Sequence, residues 1–395
     1  GGGALLSTAQ AVLFEAFPPA EVGIGQAIFG AGVMVGPTIG PTLGGWIVDN
    51  YQWPWIFYIN VPLGIMAAMM VATYVRDAAH QARSRTVDVA GIALLALCIG
   101  SLQWMLERGE REDWFQSRFI ITLLVVSVVS CILLVWRELT AREPVIDFRV
   151  LRSRQLTSGV LIAALLGVAL YGSVFVLPIF LQSLHGMTAW QTGKIILPGA
   201  LASAATMAVV GRNANRLDAR FTVAGGTLLF LLSMWMLSRL SVDAGPYDMF
   251  WPLISRGVGL GLIFVPLSAV SFTTLKPELR AYGTSIYSLM RNIGSSIGIS
   301  VVQSVVTRNS QIAHASLNEH VGRGANGWQQ YFDLATAAGR ESVNRIIDQQ
   351  SSMIAYLDAF KFMFVATLCI LPMIFLIRSH GDNAGPDAAA HAVMD

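Results

Sequence analysis

A chain of 395 residues in which 54% are hydrophobic and only 13% charged is far more apolar than a soluble globular domain, where about 25% of residues carry charge. It reads as an all-helical polytopic membrane protein, and a net charge of +2 gives no footprint for nucleic acid. The three cysteines, Cys98, Cys131 and Cys369, all lie in apolar runs without CxxC spacing, so neither a disulfide framework nor a metal site is indicated.

Apolar runs of spanning length number about eleven, near 1–17, 22–48, 56–75, 88–106, 118–136, 156–181, 191–210, 221–237, 250–270, 283–306 and 358–377. The first opens at Gly1-Gly2-Gly3 with no methionine and no charged segment ahead of it, so no signal peptide is visible and the chain reads as a piece that begins inside a span. In the second run Gly32, Gly36, Gly40 and Gly44 recur every fourth residue. They form a slowly drifting stripe on one helix face, where a neighbouring backbone is expected to approach closely. Pro37 and Pro41 lack an N–H, so the carbonyls of Val33 and Pro37 lose their usual partners and the helix is expected to bend at two successive turns. A Gly-Pro pair repeated after four residues within such a stripe points to function beyond packing.

The third and fourth runs carry Tyr58 and Trp104, and the sixth carries Tyr171 and Phe175 with Gln182 at its end. Aromatic faces suit flat lipophilic cations, which makes these five candidates for a substrate path; packing or an interfacial belt is the plainer role for such residues. Acids are scarce. Glu15, Asp88 and Asp358 all sit near span ends, where a carboxylate serves as a cap or stays solvated, and no strong coupling acid is visible. Two arginines, Arg256 and Arg291, lie well inside apolar runs, where an ionised side chain costs at least ~2.5–3.5 kcal/mol at mid-bilayer. Each is expected to face a cavity or a partner, the alternative being an arginine that snorkels to the interface. The long segment from Thr307 to Leu357 places Val343, Ile346, Ile347, Ile354 and Leu357 at mostly helical intervals, which predicts a helical cap running into the last span.

Orientation follows from alternate loops. One side collects fourteen Lys/Arg, among them Arg137, Arg142, Arg149, Arg152 and Arg154, against five in the short segments of the other. The richer side is expected to be cytoplasmic, with the C-terminus on it and the long segment 307–357 on the opposite side. An internal repeat emerges when residues 1–40 are slid along by 258 positions, matching Gly3 with Gly261, Phe14 with Phe272, Pro19 with Pro277, Gly25 with Gly283, Gly36 with Gly294 and Gly40 with Gly298 without a gap. Both copies begin an odd-numbered crossing, so the halves are parallel, and a site is expected between them. The copies stand eight spans apart, two more than two six-span halves require.

This pattern resembles the major facilitator superfamily, and within it the fourteen-span drug:proton antiporters of EmrB/QacA type. The matching stretches are the glycine/proline stripe, similar to the superfamily's antiporter motif, then Trp53-Pro54-Trp55-Ile56-Phe57-Tyr58-Ile59-Asn60-Val61-Pro62, Leu106-Glu107-Arg108-Gly109, Arg256-Gly257-Val258-Gly259-Leu260-Gly261 and Arg291-Asn292-Ile293-Gly294. Gly211, Arg212, Arg216 and Arg220 resemble the loop motif of the second half, in which arginines and an acid latch neighbouring helix ends, although Asn215 stands where many members have Asp. A plain positive-inside loop accounts for it nearly as well. The resemblance implies a major facilitator fold of two six-helix bundles with two extra linker spans. It divides the chain into 1–75 (family spans four to six), 88–136 (linker spans), 155–306 (first five spans of the C-terminal bundle), 307–357 (extracytoplasmic helical loop), 358–378 (last span) and 379–395 (cytoplasmic tail).

The resemblance further implies export of amphipathic or lipophilic compounds by proton-coupled antiport with alternating access. The proton gradient would be the energy source, no cofactor would be needed, and a periplasmic adaptor and an outer-membrane channel would be partners. A dedicated metabolite or siderophore exporter is the alternative within transport. An intramembrane enzyme or a non-transporting scaffold is the alternative outside it, but no HExxH and no Cys/His pairing stands in the spans.

Overall fold

The computed structural model describes residues 8–10, 12, 13, 17, 21–75, 88–141, 145–214, 216–273, 275, 277–323 and 336–376. The described elements are helices joined by turns: α1 (Val22–Asn50), α2 (Trp55–Tyr74), α3 (Val89–Arg108), α4 (Arg118–Thr140), α5 (Arg154–Ser183), α6 (Ala189–Arg212), α7 (Ala219–Leu237), α8 (Pro246–Thr273), α9 (Pro277–Arg323) and α10 (Ala337–Ile374). Eight of them are long and apolar enough to cross a membrane. In lipid a backbone must satisfy itself, and a helix does so within one segment. Side-chain caps settle several starts. The Thr188 hydroxyl and Gln191 side chain form a reciprocal capping box at α6, and Asp218 accepts from the Arg220 amide at α7.

Helices α5 to α10 form one bundle. Its centre is Leu166, Leu177, Phe180, Phe230, Met234 and Phe360, all buried. α5 lies along α9, α8 lies between α6 and α7, and α10 closes against α9. α1 joins this bundle from outside by packing along α6 and touching α8. It runs unbroken through Pro37 and Pro41 as one 29-residue helix. α2 meets chiefly the end of α1 and none of its span is buried.

The segment expected to leave the bundle near residue 306 stays helical to Arg323, which makes α9 47 residues long, about 70 Å and more than twice the thickness of a hydrocarbon core. No glycine or proline interrupts residues 307–321. Side chains tie this extension to α10, since Asn309 donates to Asp358 at 3.0 Å and His314 Nε2 lies 3.2 Å from Asp348 Oδ1. Val343 and Ile347 are buried on the facing side.

The hairpin α3–α4 attaches to the bundle through α9, where Ser296 donates to the Gln103 side chain and Ser300 to the Leu106 carbonyl at 2.8 Å. Its far end is locked by charge. Asp88 caps α3 by accepting from the Gly91 amide and receives three bonds of 2.8–3.1 Å from the Arg137 guanidinium. The Arg137 bonds, and then the Gly91 amide, hold the Asp88 carboxyl below its usual range. A lowered carboxylate contributes stability that is complete above the unfolded value near ~3.9 and is lost as pH falls through the folded value. The protection of the amides of residues 89–95 relative to their intrinsic exchange rates is therefore expected to stay high at neutral pH and to fall only below about pH 4; Asp88→Asn should show the reduced protection already at neutral pH.

Candidate functional site

The junction of α1 with the bundle rests on close backbone approach. A Cβ added at Gly23 would collide with Ala214 and lie 2.9 Å from the Gly211 carbonyl, and one added at Gly211 would collide with Ala27. Further along, a Cβ at Gly30 would lie 2.7 Å from the Phe264 ring, and Gly45 sits against Ala189. Ala27, Met207, Val210, Phe264 and Val265 fill the space between these glycines. Small residues let two helices touch at backbone distance, which is where association in lipid gains most.

This is not the expected stripe. An added Cβ at Gly32, Gly36, Gly40 or Gly44 meets nothing within 4 Å among the described residues, so the close approaches run along the neighbouring face through Gly23, Gly30 and Gly45. The repeat supplies the reason. A Cβ added at Gly294 or Gly298, the mates of Gly36 and Gly40, would collide with the backbone of Ala164 or Val168 in α5. No helix among the described residues stands to α1 as α5 stands to α9. The side chains of Pro37 and Pro41 lie outside the described residues, as does Glu15.

Arg256 lies on α8, ten residues or about 15 Å from Pro246. It is 6% exposed. Its Nη1 donates to Ser173 Oγ at 3.4 Å, and that hydroxyl donates onward to the Leu170 carbonyl at 2.8 Å. The guanidinium lines a cavity of about 30 Å³ with Val33 of α1, Tyr171 and Val174 of α5, and Gly199 and Ser203 of α6. Ser203 Oγ is buried without a hydrogen-bond partner. The cavity admits one or two water-sized occupants, and no drug. Four helices meet here because α6 and α8 come to backbone contact, a Cβ at Gly257 colliding with the Gly199 carbonyl.

Arg291 is 3% exposed on α9. Its guanidinium stands 5.8 Å from the centre of the Phe264 ring, the ring that also packs on Gly30, while Nε and Nη1 lack hydrogen-bond partners. A chain of contact thus runs from α9 through α8 to α1. A buried cation over an aromatic face gains about 0.5–2 kcal/mol, less than the cost of burying it. Among the described residues no carboxylate pairs with either arginine.

The five aromatic and polar candidates do not converge. Tyr171 lines the Arg256 cavity and Phe175 lies one turn along α5 against the core. Tyr58 and Trp104 are more than half exposed on α2 and α3, with Trp104 edge-on to Phe119 on the outside of the hairpin, and Gln182 is exposed. Residues that seemed to share a path are spread over separate surfaces because hydropathy gives a span and not its rotation.

The loop motif lies at the join of α6 and α7. Gly211 accommodates α1, Arg212 and Arg216 are exposed, and the Arg220 guanidinium lies 4.8 Å above the Phe375 ring at the end of α10. Of the acids, Asp88 is the α3 cap, and Asp358 receives Asn309 and Lys361.

Sequence reasoning missed Glu138. It is 5% exposed, accepts from the Ile146 amide at 3.3 Å, and its Oε1 has no partner. It fell outside the apolar run expected to end at 136, but it continues the buried face Ile120–Ser127–Ser130–Leu134 of α4, and that spacing could have found it. Spaces of ligand size among the described residues include about 580 Å³ between the ends of α6 and α8, lined by Lys194, Pro198 and Phe250, and about 300 Å³ between α3 and α9, lined by Leu95, Tyr282, Ser288 and Asn292.

Residues 1–299 match the family model described as Major Facilitator Superfamily. The chain is 35% identical over 323 residues to the multidrug export protein EmrB of Escherichia coli K12, covering 81% of this chain and 62% of that protein. It is 29% identical over 392 residues to the fatty acid resistance protein FarB of Neisseria gonorrhoeae, covering 97% and 77%. It is 30% identical over 389 residues to multidrug resistance protein 3 of Bacillus subtilis, covering 95% and 73%.

If the α1–α6 junction depends on backbone approach, Gly211→Leu should lower stability by roughly 1–3 kcal/mol through overpacking. Gly36→Ala should leave it unchanged or gain up to ~1 kcal/mol from helix propensity. Thermal unfolding of the purified protein reads both.

Proposed function

The chain belongs to the Major Facilitator Superfamily, and on that premise we propose that it is the larger part of a multidrug efflux transporter, exporting amphipathic compounds by alternating access in exchange for protons. The single observation that carries the reading is the 35% identity, over 81% of the chain, to a multidrug export protein. The chain spans 62% of that relative's length, so the whole activity belongs to the complete protein.

The geometry supports a division of labour. α1 is the helix that joins the C-terminal bundle, and its contact with α6 is close enough to exclude water between them. Alternating access requires such a contact to seal one side while the other opens. The face bearing Gly32, Gly36, Gly40 and Gly44 is left to receive a further helix. Arg291, tied through Phe264 to α1, and Arg256, at the meeting of four helices, are polar groups whose energy depends on how the halves are placed, which suits them to respond to that change. Proton exchange is inferred from the resemblance, and the coupling acid is assigned to none of the described acids.

The basic side is taken as cytoplasmic, in a bacterial inner membrane, with the C-terminus on it. The α9–α10 extension then projects outward as a two-helix post, a surface for a periplasmic adaptor that hands substrate to an outer-membrane channel.

A second reading, export of one class of amphiphilic acid, is favoured by Arg291, buried without an acidic partner among the described residues, and by the likeness to a protein named for fatty acid resistance. The two readings separate in one assay. The complete gene, expressed in an efflux-deficient cell, should expel a fluorescent lipophilic cation and lose that ability when a protonophore is added. Arg291→Met should cut the rate roughly tenfold or more, about 1.4 kcal/mol, at equal membrane abundance. Efflux of long-chain fatty acids alone would establish the second reading, and efflux of neither would overturn both. Deleting Ser310–Gln350 should abolish co-purification of an adaptor while leaving the protein in the membrane; unimpaired capture would remove the docking role.

A further inference from the structure

The cavity beside Arg256 has an unbalanced charge. The guanidinium is 6% exposed and about 15 Å from the start of α8, deep enough that bulk water does not solvate it. It carries five N–H donors, and among the described residues its hydrogen bond goes to the neutral Ser173 hydroxyl. Among the described residues no carboxylate reaches it. Opposite it, on α6, Ser203 is 3% exposed and its hydroxyl is without a partner. Both groups line the same space of about 30 Å³.

We infer that this cavity is a binding site for a small monovalent anion of chloride's size, held by the Arg256 guanidinium and the Ser203 hydroxyl. A buried charge is tolerated when it is paired and hydrogen-bonded. Water in the cavity would satisfy donors and leave the charge unbalanced, whereas an anion does both. The other wall fits the same occupant. Val33, Leu170, Val174 and Leu260 are apolar and hold a weakly hydrated ion without competing for it. A cationic ligand is excluded by charge, and a volume of about 30 Å³ suits a small ion better than the carboxylate of an amphiphile. Because Val33 comes from α1 while Tyr171, Ser203 and Arg256 come from the bundle, the ion sits at the seam and is released when α1 moves away. Its binding is therefore tied to one arrangement of the halves. The inference stands on charge and volume and does not rest on the export reading.

The test is the unfolding temperature of the purified chain in sodium chloride and in sodium gluconate at equal ionic strength, which keeps screening constant. Chloride should raise the midpoint saturably by about 2–4 °C, and bromide should do the same and give an anomalous scattering peak beside Arg256. Arg256→Met and Ser203→Val should each abolish the rise. Should Arg256→Met fail to fold, Ser203→Val, which fills the cavity without touching the charge, decides alone. Equal midpoints in the two salts for the unaltered chain, or a rise that persists in Ser203→Val, would overturn the site.

Discussion

Helix contacts inside a bilayer cannot draw on the exclusion of water from apolar surface, because lipid tails are as apolar as leucine. What remains is dispersion at short range, and it grows as backbones approach. The structure depends on α6 in this respect. Its Gly211 admits α1, and its Gly199 meets Gly257 of α8 at backbone distance. One helix therefore holds the outer helix to the bundle and the bundle to itself. A side chain larger than hydrogen at Gly211 would push against α1, and one at Gly199 would push against α8.

Closeness of that kind leaves little space for polar groups, and those present are arranged economically. Most serines and threonines within the spans return their hydroxyls to a carbonyl three or four residues back, as Thr206 does to Ala202 and Thr367 to Met363. Such groups cost little in lipid. Arg291, Ser203 and Glu138 depart from this pattern, each with a buried atom that the described residues do not satisfy, as do Thr192 and Ser288. Unsatisfied buried polar groups are costly.

The α3–α4 hairpin follows another logic. It is held at one end by Asp88 and Arg137 and along its length by serine hydroxyls of α9 reaching Gln103 and the Leu106 carbonyl. Its outer face is broadly exposed, with Leu139, Trp136 and Ile132 among the exposed residues, as suits a lipid-facing helix pair that touches one side of the bundle. Its polar attachments are directional, so they fix register against α9 more firmly than apolar contacts would.

Much of the fold was legible in the sequence. The apolar runs gave α1 to α8 to within a few residues, because in lipid the hydropathy of a segment decides by itself whether it crosses, whereas α9 and α10 run well past their apolar runs. The parallel repeat, and with it the family, came from residues 258 apart. The asymmetry of arginines supplied an expectation of orientation only, and Asp88 already read as a cap. Tertiary structure decided which face of a span is used. The glycines at 32, 36, 40 and 44 spelled a contact surface, but the contact of α1 with α6 uses Gly23, Gly30 and Gly45. Tyr58 and Tyr171 belonged to one list in the sequence and to different surfaces in space. Glu138 looked like part of a loop until α4 was seen to carry it inward, and nothing in the order of residues placed Ser203 opposite Arg256. The reason is the same throughout. Whether a helix inserts is a property of its own composition, while its rotation about its axis is set by partners distant in sequence, and a solvent as apolar as the helix surface gives no preference for one face over another.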